Sequence, residues 1–92
     1  MRIWFREWKD NHLIRDTVIE NYENDTRTHK VMGSLEKACY EFDLAIPVWL
    51  DRNIKEFQRA SKTRFYKDNF IEEVSFDYFE IQVIEEDEEY SK

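Results

Sequence analysis

Glycine, proline and cysteine are nearly missing from this chain; each occurs once in 92 residues. A single glycine leaves no glycine-rich loop to cradle a phosphate, and so little glycine and proline leaves no low-complexity linker. One cysteine, Cys39, excludes an internal disulfide and a cysteine-based metal site within the chain. Long apolar runs are also lacking: no stretch approaches the ~20 residues that cross a bilayer. The opening "MRIWFREWKD" carries neither the apolar segment nor the small-residue cleavage site of a signal peptide. The expectation is a cytoplasmic protein without membrane association. His12 and His29 do not stand four apart, so a histidine pair on one helix turn is excluded as a zinc site. No cofactor, metal or catalytic residue is expected.

What the chain does have is aromatic and charged residues, 16% and 38% of it, with a net charge of −7. Aromatics bury a large area per side chain, a useful property in a small core. A chain of this length supports one core and buries roughly 60–65% of the surface its unfolded form exposes. The expected organisation is one compact domain over 1–84 and an acidic, frayed tail over 85–92.

Residues 2–8, "RIWFREW", and 12–20, "HLIRDTVIE", are aromatic and β-branched, and Lys9, Asp10 and Asn11 break them with turn-forming side chains. This predicts a β-hairpin with a three- or four-residue loop. Asp25 or Thr26 then caps a helix on which Val31, Met32, Leu35, Ala38, Cys39 and Phe42 recur at three- and four-residue intervals. Gly33 lies inside this stripe and suggests close packing. Pro47 requires the helix to end near Asp43. A second helix follows "IPVWL", capped by Asp51 or Asn53, with Arg52, Lys55, Arg59 and Lys62 on one side and Ile54 and Phe57 opposite. In "VSFDYFEIQVIEE", Phe79, Ile81 and Val83 alternate with Glu80 and Gln82 as in a strand. The expected fold is α+β: a small, mainly antiparallel three-stranded sheet with two helices on one face, in the order β-β-α-α-β.

Charge is segregated. Residues 52–67 hold six basic side chains and one acid, Glu56, whereas residues 68–89 hold ten acids and no base. "RASKTRFYKDNF", residues 59–70, interleaves basic groups with Phe65 and Tyr66, the pattern of a single-strand nucleic-acid groove. Arg52, Lys55, Arg59, Lys62, Arg64 and Lys67 are the candidate anion or nucleic-acid patch. A sequence pI near 4.8 opposes that use, and the solvated helix face or pairing with the acidic end comes first. Conversely, Asp77, Glu80 and the run 85–89 form the pattern of an acidic inhibitor imitating DNA phosphates. Asp77 with Glu80, or Glu72 with Glu73, are paired carboxylates without a legible pocket, so the expectation is a non-enzymatic protein.

Two helices cover one sheet face and nothing obvious covers the other, so either "IPVWL" and the loops wrap round to bury its aromatics or that face stands bare. Trp4, Trp8, Phe76 and Tyr78 are the candidate protein interface on that bare face, with a protein partner or a second copy as its occupant. Nucleic acid stands behind these as an alternative.

The stretches "NYENDTRTH", "IPVWLDRNIKEFQRASKTRF" and "FDYFEIQVIEED" resemble short proteins of Gram-positive anaerobic bacteria with no assigned activity. The resemblance covers most of the chain. It implies a bacterial cytoplasmic protein, and transfers no fold, ligand or functional residue.

Overall fold

A computed structural model describes residues 1–87. β1 (Arg2–Lys9) and β2 (His12–Glu20) form the expected hairpin. Lys9 pairs with His12 as the last rung, so the turn is only Asp10 and Asn11, at φ 51° and 62°. Left-handed residues at both positions match the twist of the flanking strands, and Asp and Asn accept that conformation better than other side chains. Tight turns are thus made without glycine.

α1 (Arg27–Glu41) is capped by Thr26, whose side chain accepts from His29 N–H. It ends before Pro47 can act: Asp43 is left-handed (φ 52°), and Leu44 N–H returns to the Cys39 carbonyl at 2.8 Å. Its stripe buries Val31, Leu35, Ala38, Cys39 and Phe42, while Met32 is exposed. Gly33 has no neighbour within 4 Å of where a Cβ would stand, so it serves no close packing.

α2 (Asp51–Ala60) is shorter than its basic pattern suggests. Ser61, left-handed at φ 54°, stops it, and Lys62–Phe65 becomes a further strand, β3. β4 (Tyr78–Glu85) closes a four-stranded antiparallel sheet of order β2-β1-β4-β3. The expected three strands are therefore corrected to four. In "KTRF" Thr63 and Phe65 point inward and Lys62 and Arg64 outward; a two-residue period this brief merges with the helical pattern before it.

One sheet face packs on the helices. Ile3, Phe5, Phe65, Phe79 and Ile81 meet Val31, Leu35, Ala38, Cys39, Phe42 and Phe57 in one core. Trp49, from the connector before α2, lies edge-on to Phe57 and Phe65 at 5.5 and 5.0 Å. The connector thus covers the helix side of the sheet and leaves the other face open.

The acidic end is held, up to the last described residue, by groups other than the basic stretch. Asp87 accepts from the Met1 ammonium at 2.6 Å and from buried Lys30 Nζ at 2.7 Å, and Arg27 bridges Glu86 at 2.8 Å. The rest of the expected tail, 88–92, lies outside the described residues. Lys30, with the ammonium beside it, holds the Asp87 carboxyl below its ordinary 3.8. A depressed folded-state pKa gives stability that is complete above the ordinary value and is lost as pH falls through the depressed one. Thermal midpoints measured between neutral pH and about pH 2 should fall on the acid side of about pH 4. Asp87→Asn should lower the midpoint at neutral pH and flatten that acid limb.

Candidate interaction surface

Strand register fixes what the outer face presents. Side chains paired across antiparallel strands share a face; Arg2 and Glu20, 3.8 Å apart, stand at one end of this one, and three rows follow. Val18, Trp4, Gln82 and Lys62 form the first row, and Asp16, Arg6, Glu80 and Arg64 the second. Leu13, Trp8 and Tyr78 form the third, which Tyr66 extends with its ring 5.7 Å from that of Tyr78.

Glu80 is the hub. Its side chain is only 4% exposed; it accepts from Arg64 at 2.9 Å and Trp8 Nε1 at 3.3 Å and forms an ion pair with Arg6 at 3.0 Å. Arg6 also donates to Gln82 Oε1 at 2.8 Å. Both guanidiniums lie over aromatic rings, Arg6 on Trp4 at 4.0 Å and Arg64 on Tyr78 at 4.5 Å. Trp8 stacks on Tyr78 with centroids 6.2 Å apart, and Trp4 Nε1 donates to Asp16 at 2.8 Å. Hydrogen bonding to Glu80 raises the Arg64 guanidinium pKa, so the site keeps that charge at any working pH. Cation–π stacking and a desolvated carboxylate fix the orientation of these rings.

Three of the four expected interface residues stand on this face: Trp4, Trp8 and Tyr78, each half-buried within the lattice. Phe76 does not. It is 4% exposed and packs on Phe70 and Phe79 in the core, because β4 starts at Tyr78 and the strand alternation does not reach back to it. Arg6, Gln82 and Glu80 join the face through register alone, a property of strand pairing that composition does not show.

The basic patch is dispersed over three elements. Arg52, Lys55 and Arg59 belong to α2, Lys62 and Arg64 to β3, and Lys67 to a 3-10 turn, Lys67–Asn69. The one-sided helical cluster that included Lys62 is corrected by the end of α2 at Ala60. Arg52 is committed to Asp68 at 2.7 Å and to Asn69 Oδ1 at 2.7 Å, and Arg64 to Glu80. Lys55, Arg59, Lys62 and Lys67 are exposed.

Groups with catalytic potential stand apart. Cys39 is buried, and burial together with the Glu7 charge pushes its thiol up to about 12, too high for a thiolate nucleophile at neutral pH. His12 lies exposed beside the hairpin turn, and His29 Nδ1 is 3.0 Å from Asp25 on the surface. Asp77 accepts from Asp10 N–H at 2.8 Å and braces the turn. Among the described residues no group of three or more His, Cys, Asp or Glu side chains is placed to hold a metal ion, and no helix is long and apolar enough to cross a membrane. An apolar groove of about 310 Å³ lies between the helices, lined by Val31, Met32, Trp49, Ile54 and Phe57.

Comparison with protein-family models, curated proteins and solved structures finds no match to the chain.

Proposed function

We propose that this chain is a non-enzymatic protein-interaction domain that docks its partner on the outer sheet face. The main support is that no described element covers this four-stranded face, which presents Trp4, Trp8, Tyr78, Arg6 and Arg64 in one bonded lattice. Trp, Tyr and Arg dominate the binding energy of protein interfaces. Held in place by Glu80, they lose little further side-chain freedom on docking. Leu13, Val18 and Tyr66, all exposed, extend the apolar area along the same rows.

A nucleic-acid-binding module remains the alternative, supported by the exposed Lys55, Arg59, Lys62 and Lys67. It is weakened because Arg52 and Arg64 are engaged within the chain and because the net charge is −7. The DNA-imitating reading loses Glu80, which is buried beneath two arginines.

The deciding experiment is affinity capture with three immobilised chains: the natural sequence, a Trp4→Ala/Trp8→Ala variant, and a Lys55→Glu/Arg59→Glu variant. Circular dichroism confirms that each is folded. Captured protein should survive nuclease and high salt, vanish with the tryptophan variant and persist with the helix variant. Recovery of nucleic acid that salt releases and the helix variant abolishes overturns the proposal, since phosphate contacts weaken steeply with salt.

A further inference from the structure

From the charge order across the sheet we infer that the occupant of the outer face is a second copy of this chain. The two copies pack sheet on sheet about a two-fold axis parallel to the strands. This partner assignment rests on the outer face being a docking surface, and it adds the partner and the symmetry.

The central row reads Asp16, Arg6, Glu80, Arg64 from β2 to β3, so its charges alternate − + − +. The sequence of signs is the reverse of itself with every sign exchanged. A two-fold axis running between β1 and β4, along the strands, lays β2 of one copy over β3 of the other and keeps each row on its own counterpart. Asp16 then faces Arg64 of the second copy, and Arg6 faces Glu80. Within each chain the middle pair is already neutral and nearly buried, at 3.0 Å. The end groups project: Asp16 is exposed and the Arg64 side chain is 46% exposed. The reciprocal Asp16–Arg64 contacts therefore sit at the rim, where charge pairs fix orientation more than affinity. An axis across the strands would instead set the acidic edge on the acidic edge and the basic edge on the basic edge.

The flanking rows obey the same operation, which also lays exposed Val18 over the Lys62 stem. Trp8 meets Tyr78 and Leu13 meets Tyr66, with Trp4 set against Gln82 in the neighbouring row. A single C2 contact of this kind is isologous and closed, and aligned sheets pack face to face with strands about 30° apart. Three strands of eight or nine residues and one of four, spaced ~4.8 Å apart, present roughly 460 Å² per copy. Two such faces bury about 900 Å² in all, in the size range of weak, transient interfaces. A dimer of modest affinity follows, populated as concentration rises.

The test combines dilution of the natural chain with a charge exchange. Sedimentation should show a monomer–dimer equilibrium. Over the same dilution the indole N–H resonances of Trp4 and Trp8 should shift while that of Trp49, on the helix side, stays fixed. Asp16→Arg alone and Arg64→Asp alone set like charges together at both rims, and each should weaken the dimer by about tenfold or more. An equimolar mixture of the two variants restores both contacts and should dimerise about as well as the natural chain. Damage to folding within either chain would not be repaired by mixing. A natural chain that stays monomeric with fixed indole resonances overturns the inference. So does a dimer indifferent to the charge exchange. If the inference fails in either way while tryptophan-dependent capture of another protein persists, the docking surface stands and only this partner is lost. Loss of both removes the docking surface as well.

Discussion

Asn53→Ala is expected to destabilise the fold by about 3 kcal/mol and to lower the thermal midpoint by roughly 12–24 °C. Asn53 is fully buried and bonds to four residues in three parts of the chain. Its Oδ1 accepts from Leu50 N–H at 3.0 Å, at the start of α2, and from Asn69 Nδ2 at 2.8 Å. Its Nδ2 donates to Thr63 Oγ1 at 3.0 Å and to the Arg64 carbonyl at 2.9 Å, both on β3. Asn69 carries the network on, donating to the Val48 carbonyl and accepting from Tyr66 N–H, each at 2.8 Å. Thr63 retains Glu56 and Asn69 retains Val48 after the substitution. The Leu50 amide and the Arg64 carbonyl lose this partner, and each such loss costs about 1–3 kcal/mol in a buried setting. Lys55→Ala, on the exposed side of the same helix, should change stability by no more than ~0.5 kcal/mol. A double-mutant cycle of Asn53→Ala with Asn69→Ala should show coupling above ~0.5 kcal/mol, because the two side chains bond directly. Additive losses would mean that the two asparagines act separately.

Glu80→Ala should have an effect of similar size, about 3 kcal/mol, measured by chemical denaturation. Its origin is different. Removing the carboxylate leaves the Arg6 guanidinium, 11% exposed, facing Arg64 without the anion that both contact. Breaking a buried ion pair on one side costs ~3–5 kcal/mol. The lower end applies here because Arg64 is half-exposed and can turn to water. Glu80→Gln keeps one acceptor oxygen, enough for Arg64 or for the Arg6 and Trp8 side but not for both, and should lose less. The double variant Arg6→Met/Glu80→Leu removes charge and counter-charge together and should recover much of the loss, since well-packed apolar residues replace such pairs at little cost. If the double variant is as unstable as Glu80→Ala, the hub owes its strength to the hydrogen bonds of Trp8 and Gln82 instead of to charge balance.

Much of the architecture is written in local patterns. The first hairpin, the apolar stripe and Thr26 cap of α1, and the alternation of Phe79, Ile81 and Val83 are periods and end signals that short segments carry by themselves. The single cysteine and the shortage of glycine and proline bound the chemistry in the same way, through residue types alone. Tertiary structure decided the rest. Four residues, Lys62–Phe65, are too short a strand to separate from a neighbouring helix by period, and only pairing with β4 and the left-handed Ser61 define it. Phe76 could not be told from Tyr78 by alternation, since the strand's first residue depends on where pairing with β1 begins. Above all, Asp16, Arg6, Glu80 and Arg64 lie up to 74 residues apart in a chain of 92 and become one alternating row only through the register of four strands. Residue type and spacing determine which side chains are available and which segments bend or extend; cross-strand pairing alone determines which of them become neighbours.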